Sequence, residues 1–222
     1  MSAPLAVCCV SGGMDSAVAA ALAAREGRVA FLHADYGQRT QAKERECFQK
    51  LAAHYRVEAC LVVGFPALAA IGGSSLTDRD IAVREAEPER GVIPTSYVPF
   101  RNAHLLSAAT SWAEALGATA IFVGAVAEDS SGYPDCRPEF YRAFEQAIRT
   151  GTRPETRIRI AHPVIDMSKA EIVRTGRELG VPFELTWSCY QNDDRACGVC
   201  ESCRLRLKGF REAGVPDPIP YS

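Results

Sequence analysis

Four apolar runs rich in β-branched and small residues predict strands that are buried on both faces. They span residues 5–10, 28–34, 59–63 and 120–126. Stretches with apolar side chains at 3.6-residue spacing predict helices at about 17–24, 38–55, 101–117 and 138–148. Strands alternating with helices predict an α/β fold, in which a parallel sheet is flanked by helices. Ligands of such folds bind at the carboxyl ends of the strands.

Two later parts of the chain depart from this alternation. Residues 64–99 contain glycines, prolines and mixed charges, so this segment is either a lid or disordered, and we interpret it as a mobile flap. Residues 157–165 form an extended stretch. Ser168 and Glu171 then match a capping box, which predicts a helix that carries Lys169 in its first turn and ends at Leu179.

Length and composition narrow the possible classes of protein. A chain of 222 residues predicts one compact domain or one domain with a small appendage. The net charge of −2 provides no basic stripe, which argues against nucleic acid as a partner. No apolar run approaches the roughly 20 residues that span a bilayer, and no signal peptide precedes the first strand. Nine cysteines in an α/β pattern favour a reducing compartment, the cytoplasm.

The string SGGMDS lies directly between the first predicted strand and the first predicted helix. Glycines at such a turn let an anion approach the free amides at the helix N-terminus, and hydroxyl groups add further donors. The alternative is an ordinary tight turn with helix-capping residues. The strand–turn–helix context favours an anion site. Its predicted residues are Val10, Ser11, Gly12, Gly13, Met14, Asp15 and Ser16.

Four cysteines near the C-terminus have the spacing of metal ligands. The pattern is Cys-x7-Cys-x2-Cys-x2-Cys, formed by Cys189, Cys197, Cys200 and Cys203. Four soft ligands in so short a segment suit a tetrahedral ion. An iron–sulfur cluster is the alternative, but its usual run ends in a nearby Cys-Pro that is not found here. We therefore predict structural zinc, in a small C-terminal helical region at 181–222 that follows a catalytic domain at 1–180.

Two polar residues allow two interpretations each. His33 lies at the carboxyl end of a predicted strand and is either a buried structural residue or a contact to the adenosine of a nucleotide whose phosphates would occupy the anion site. Lys169 lies at a helix N-terminus, which the helix dipole makes unfavourable for a cation. It is therefore either a solvated surface lysine or the partner of a bound anion.

SGGMDS resembles the pyrophosphate loop of the PP-loop ATP pyrophosphatases. The resemblance implies an adenine nucleotide alpha-hydrolase-like fold whose loop holds the β,γ-pyrophosphate of ATP while a substrate oxygen attacks the α-phosphorus. It also implies that Lys169 reaches the phosphates, because the family carries a lysine at the start of a late helix. Mg²⁺ is expected as the phosphate counterion, with Asp15 as an indirect ligand.

Several strings together resemble the 7-cyano-7-deazaguanine synthase family. They are SGGMDS, DYGQR, VPFRN, SGYPDCRPEF, MSKAEI, TWSCY and CGVCESCRLR. The resemblance implies that 7-carboxy-7-deazaguanine, ATP and ammonia give 7-cyano-7-deazaguanine on the queuosine pathway, and that the protein is a homodimer. One departure is Phe100, which replaces the glycine of the usual VPGRN and makes the local loop conformation uncertain.

The segment SGYPDCRPEF offers groups that complement a deazaguanine carboxylate. A buried carboxylate suits the N–H edge of the substrate, and a guanidinium suits its carboxylate. Candidates are Tyr133 for stacking, Asp135 and Glu139 as acceptors, and Arg137 as the cation. Arg101 is a second candidate cation, for the carboxylate or for the phosphates, and is predicted with Asp15 and Lys169 to be catalytic. The alternative is that Asp135 and Arg137 form a surface ion pair and cap the helix that begins at Pro138.

Three other functions are compatible with parts of this pattern. A PP-loop tRNA thiolation enzyme would need a sulfur-relay cysteine and a surface for tRNA, against which the acidic balance counts. An adenylate-forming amidotransferase could act on a different substrate. A nucleotide sensor would not need Lys169, the SGYPDCRPEF segment and a metal site together.

Overall fold

A parallel five-stranded sheet forms the centre of the computed structural model, which describes residues 3–85, 92–126 and 132–222. The spatial order is β3-β2-β1-β4-β5. The strands are β1 (Leu5–Cys9), β2 (Arg28–Asp35), β3 (Ala59–Gly64), β4 (Ala120–Val123) and β5 (Arg159–Ala161). Every neighbouring pair is parallel. The predicted fold class, a parallel sheet flanked by helices, is confirmed.

The described residues contain seven α-helices. They are α1 (Met14–Glu26), α2 (Gln41–Tyr55), α3 (Pro66–Ile71), α4 (Arg101–Leu116), α5 (Pro138–Gly151), α6 (Lys169–Glu178) and α7 (Glu201–Glu212). The capping box that predicts α6 is present, since Ser168 accepts from the Glu171 amide while Glu171 accepts from the Ser168 amide. No part of the described chain forms a helix that is both long and apolar enough to cross a membrane.

The strand order reverses at β1, and this reversal creates the crevice in which such folds bind ligands. From β1 the chain moves to β2 and β3 on one side and returns to β4 on the other. The turn after β1 therefore opens between two diverging connections. A Cβ atom at Gly124, directly after β4, would lie 2.5 Å from the backbone nitrogen of Ser16, so the start of α1 sits against the end of β4.

The central strand contributes alternate side chains to two hydrophobic layers. Ala6 and Cys8 face a core that includes residues of α1, α2, α6 and α7, whereas Val7 and Cys9 face a second core with α4 and α5. Both layers exclude water from β1, which explains why this strand reads as an uninterrupted apolar run.

The C-terminal region shares the main core. Val181, Phe183 and Phe210 pack in the same cluster as α1, and the chain end pairs back through a bridge between Ala196 and Tyr221. The predicted division between 1–180 and 181–222 stays a prediction.

The described parts of the predicted flap are packed against the domain. Ser74 and Ser75 are fully buried, and the Arg39 side chain donates to the carbonyl oxygens of Ser75, Asp78 and Ile81. Residues 86–91, with Pro88, lie outside the described residues. Movement of the segment as a flap stays a prediction.

Phe100 adopts the left-handed conformation, with φ of +57°, directly before α4. This conformation suits glycine and costs a residue with a Cβ atom about 1–2 kcal/mol. The usual glycine of the motif would therefore be free of this strain.

Replacing Phe100 by glycine and by alanine separates the backbone from the ring, because both variants lose the ring. We expect Phe100→Gly to be more stable than Phe100→Ala by about 1 kcal/mol, although alanine normally stabilises the chain relative to glycine. Denaturant unfolding of both variants measures the difference. An alanine variant as stable as the glycine variant would show that the backbone at residue 100 leaves the left-handed conformation without cost.

Candidate active site

The loop between β1 and α1 is held in one conformation by its own hydroxyl groups. The Ser16 hydroxyl donates to the Gly13 carbonyl oxygen over 3.0 Å and accepts from the Ser11 amide over 3.2 Å. Gly12 has a φ of +90°, and a Cβ atom there would lie 2.6 Å from the Glu44 carbonyl oxygen. The tight packing and the backbone conformation both require glycine at this position.

Lys169 reaches the loop from a distant part of the sequence. Its Nζ atom lies 2.8 Å from Oδ2 of Asp15, and the lysine side chain is 11% exposed. The other oxygen of Asp15, Oδ1, is buried and has no hydrogen-bond partner in the part of the chain that the structure describes. The capping box of α6 places this cation at the start of α1, where the sequence predicts an anion site.

A cavity of about 260 Å³ opens beside the loop. Its lining includes the loop residues except Gly12, together with Gly124 and Ala125 after β4. Arg101 lies at the other side, where its Nη1 atom donates to the Tyr36 hydroxyl over 3.0 Å and its guanidinium lies 6.0 Å from the centre of the Tyr133 ring. A cation framed by aromatic faces is thus available to a planar anionic ligand.

A second cavity of about 110 Å³ adjoins the first. Residues that line both cavities are Met14, Asp15, Tyr133, Ser188, Tyr190 and Ser202. Lys169 and Glu201 line the second cavity. The two cavities meet at Asp15, so two ligands could occupy adjacent positions.

The predicted substrate segment divides into two parts. Tyr133 borders both cavities, whereas Asp135 is 2% exposed and accepts from the Asn102 amide at the start of α4 over 2.9 Å. Asp135 thereby stabilises the helix that carries Arg101. Arg137 and Glu139 are exposed, and neither lines either of these two cavities.

His33 is enclosed behind the loop. Its Nδ1 atom lies 2.9 Å from the Val10 carbonyl oxygen, its ring stacks on Phe48, and it is 1% exposed. Burial lowers the pKa of His33, so the ring is neutral at physiological pH. These contacts favour the structural interpretation of His33 over a contact to adenosine.

Glu44, which lines the larger cavity, has a carboxyl group with altered acidity. Burial raises its pKa from 4.5 to about 6, although Gln38 and Thr40 donate to it. Because the folded state binds the proton more tightly, the ionised carboxylate destabilises the fold above pH 6. This destabilisation vanishes as the pH falls below 4.5.

Replacing Glu44 by glutamine removes this pH dependence. The stability of Glu44→Gln relative to the native protein should increase by about 2 kcal/mol between pH 4.5 and pH 8. Urea unfolding across this range measures the change, with Glu155→Gln at an exposed position as the matched control. A difference in stability between Glu44→Gln and the native protein that stays constant with pH would contradict the raised pKa of Glu44.

The four predicted ligand cysteines converge. The sulfur atoms of Cys189, Cys197, Cys200 and Cys203 all lie within 4.8 Å of one another. The amides of Gln191, Asn192 and Cys197 donate to the Cys189 sulfur over 3.3–3.4 Å. The hydrogen bonds that Cys189 accepts from Cys200 and Cys203 lower the pKa of Cys189 and raise the pKa of the two donor thiols. Four soft donors with amide support fit a tetrahedral metal ion.

Sequence reasoning missed the residues that connect the cysteine cluster to the cavities. Arg206 on α7 is 1% exposed, pairs with Asp217 over 2.7 Å and donates to the Thr186 hydroxyl. The Trp187 amide donates to the Gly12 carbonyl oxygen over 2.9 Å. Nothing in the local pattern around Arg206 distinguishes it from a surface arginine of an amphipathic helix.

Comparison with known proteins agrees with this geometry. The model of the family "Queuosine biosynthesis protein QueC" matches residues 5–214. The chain is 58% identical over 217 residues to 7-cyano-7-deazaguanine synthase of Chlorobaculum tepidum, covering 97% of this chain and 96% of that protein. It is 55% identical over 221 residues to the protein of that name from Koribacter versatilis, covering 98% of this chain and 93% of that protein.

A solved structure shares the fold at low sequence identity. NMN synthetase from Francisella tularensis superposes with a TM-score of 0.50 at 17% identity, over 97% of this chain and 79% of that chain. This likeness concerns the fold alone. The family match and the identity to these relatives extend over nearly the whole chain, and the chain therefore belongs to the queuosine biosynthesis protein QueC family.

Proposed function

We propose that this chain is a 7-cyano-7-deazaguanine synthase, an ATP-dependent ligase that converts 7-carboxy-7-deazaguanine and ammonia to the nitrile. The observation that carries the proposal is the Lys169–Asp15 pair at the glycine loop, where the two cavities meet. The names of relatives that are more than half identical support the same reaction.

The chemistry follows from the need to give a carboxylate a leaving group. A substrate carboxylate oxygen attacks the α-phosphorus of ATP, pyrophosphate departs, and ammonia then displaces AMP to give the amide. A second ATP activates the amide oxygen, and loss of AMP with two protons leaves the nitrile. The loop amides and Lys169 stabilise the charge on the departing pyrophosphate, which is electrostatic catalysis.

The donor set at the loop also fits Mg²⁺. Oδ1 of Asp15 is a buried carboxylate oxygen with no protein partner among the described residues, and hard oxygen donors are the ligands that Mg²⁺ prefers. The ion supplies charge neutralisation to the phosphates when bound. Asp15 would hold it through its water shell.

On the substrate side, we assign the aromatic face to Tyr133 and a cationic contact to Arg101. Both line the larger cavity, and the guanidinium of Arg101 is oriented by Tyr36. Direct contacts of Asp135, Arg137 or Glu139 to the substrate stay predictions, as does contact of His33 to adenosine.

The nucleotide products test the proposal. With 7-carboxy-7-deazaguanine, ammonium and ATP, we expect AMP and pyrophosphate to accumulate with the nitrile, because the loop holds the β,γ-phosphates and exposes the α-phosphorus. Nucleotide chromatography and mass spectrometry measure the products. Accumulation of ADP and phosphate in proportion to the nitrile would contradict the mechanism.

A tRNA thiolation activity fits the structure less well. The cysteines that line the larger cavity are Cys9 and Cys136, and burial raises the pKa of both thiols, to about 12 and about 11. Thiols of that acidity stay protonated at neutral pH and are poor nucleophiles.

A homodimer and a location in the reducing cytoplasm, where the nine cysteines would persist without forming disulfides, complete the proposal.

A further inference from the structure

A buried carboxylate in the smaller cavity has no role in the mechanism above. Glu201 is the first residue of α7 and is 6% exposed. Its Oε2 atom accepts from the Ser96 hydroxyl over 3.0 Å, whereas its Oε1 atom has no hydrogen-bond partner among the described residues. A buried acceptor without a donor costs about 1–3 kcal/mol or more for a charged group, so a ligand that supplies the donor would remove this cost.

A structural role accounts for only part of this arrangement. An acidic residue in the first turn of a helix is favourable, and the guanidinium of Arg84 lies near enough to attract the carboxylate. Both effects explain a negative charge at this position. Neither provides a hydrogen-bond donor to Oε1, nor requires the carboxylate to line a cavity beside Asp15 and Lys169.

One serine orients both the carboxylate and an aromatic face. Ser96 is 3% exposed, donates to Glu201 and accepts from the Tyr133 hydroxyl over 2.9 Å. Tyr133 borders both cavities. Ser96 therefore holds the flat ring of Tyr133 and the acceptor oxygen of Glu201 in fixed positions. This pair suits a planar heterocycle with adjacent N–H donors along one edge better than it suits a spherical ammonium ion.

We propose that Glu201, oriented by Ser96, accepts hydrogen bonds from the ring N–H and exocyclic amino group of the deazaguanine substrate and thereby determines its specificity. This inference rests on the proposed function. It places the six-membered ring of the substrate beside α7 in the smaller cavity, and it directs the carboxylate on the opposite ring past Tyr133 into the larger cavity, which Arg101 lines.

The test compares two substrates and two glutamate variants. The probe is 7-carboxy-7-deazahypoxanthine, which lacks the amino group. We expect native enzyme to prefer the deazaguanine by roughly 100-fold in kcat/KM, and Glu201→Gln to reduce this preference to less than about 10-fold. Glu212→Gln, at an exposed position on the same helix, is the matched control and should keep the full preference.

Two further measurements separate recognition from damage to the fold. Metal content and ATP affinity of Glu201→Gln should stay at the native level, and Ser96→Ala should reduce the preference by roughly 10-fold even if Glu201→Gln fails to fold. An equal loss of kcat/KM on both substrates would overturn the inference. So would an unchanged preference for the deazaguanine in both Glu201→Gln and Ser96→Ala. A native enzyme that produces no nitrile would instead contradict the proposed function itself.

Discussion

Replacing Lys169 by alanine is expected to lower the rate of pyrophosphate release about 100-fold. The side chain lies 2.8 Å from Asp15 beside the loop that we propose receives the phosphates. On that proposal, its loss removes one charge that stabilises the departing pyrophosphate. Loss of a single charge-stabilising donor in a water-excluded site typically costs 10²- to 10³-fold in rate. Steady-state assays with a coupled pyrophosphate readout measure the effect.

A control variant and a second variant of the same ion pair accompany this measurement. Lys50→Ala removes an exposed lysine, 51% exposed, and should keep the native rate. Asp15→Ala should lower the rate by more than tenfold, because the carboxylate borders both cavities. A native rate in Lys169→Ala would remove this residue from the mechanism and restore its interpretation as a surface lysine.

Replacing Cys200 by serine should release the metal and lower the melting temperature by roughly 10 °C or more, since metal binding is coupled to folding. Cys200 is fully buried in the cluster that joins α7 to the chain end, and a hydroxyl is a weak ligand for a soft ion. We expect one zinc ion per chain in the native protein, held by four thiolates without a water ligand. Elemental analysis and thermal unfolding measure both quantities.

The matched variant is Cys60→Ser, at an exposed cysteine outside the cluster, which should keep both metal and melting temperature. Native protein that contains iron and a visible absorbance band would overturn the zinc assignment and favour an iron–sulfur cluster. If Cys200→Ser kept its metal and its native melting temperature, Cys200 would not be a required ligand.

Local patterns alone predicted most of the elements and the loop beside which the larger cavity opens. The apolar run of β1 and the SGGMDS turn that follows it could be predicted without knowledge of distant residues, because strand propensity and turn geometry depend on neighbouring residues. The capping box at Ser168 likewise determined where α6 begins. The spacing of the four cysteines determined that they could converge, since short loops between ligands leave few other arrangements.

Only the tertiary structure decided which distant residues meet. Helix α3 lies inside a segment whose glycines and prolines predicted no helix, and its packing overrides that weak local preference. Asp135 has a local pattern that suits substrate binding, yet its carboxylate is used at the start of α4. Glu201 reads as a helix-starting residue, and Ser96 has no distinguishing sequence pattern.

The sequence by itself therefore determined the fold class, the glycine loop after β1 and the four cysteines that converge, because each follows from patterns of residues close together in the chain. The tertiary structure alone placed Lys169 on Asp15, Arg101 between two tyrosines, and Ser96 between Tyr133 and Glu201. The physical reason is that the reversal of strand order at β1 brings separate loops to one crevice. Contacts between side chains far apart in sequence depend on packing, which no local pattern encodes.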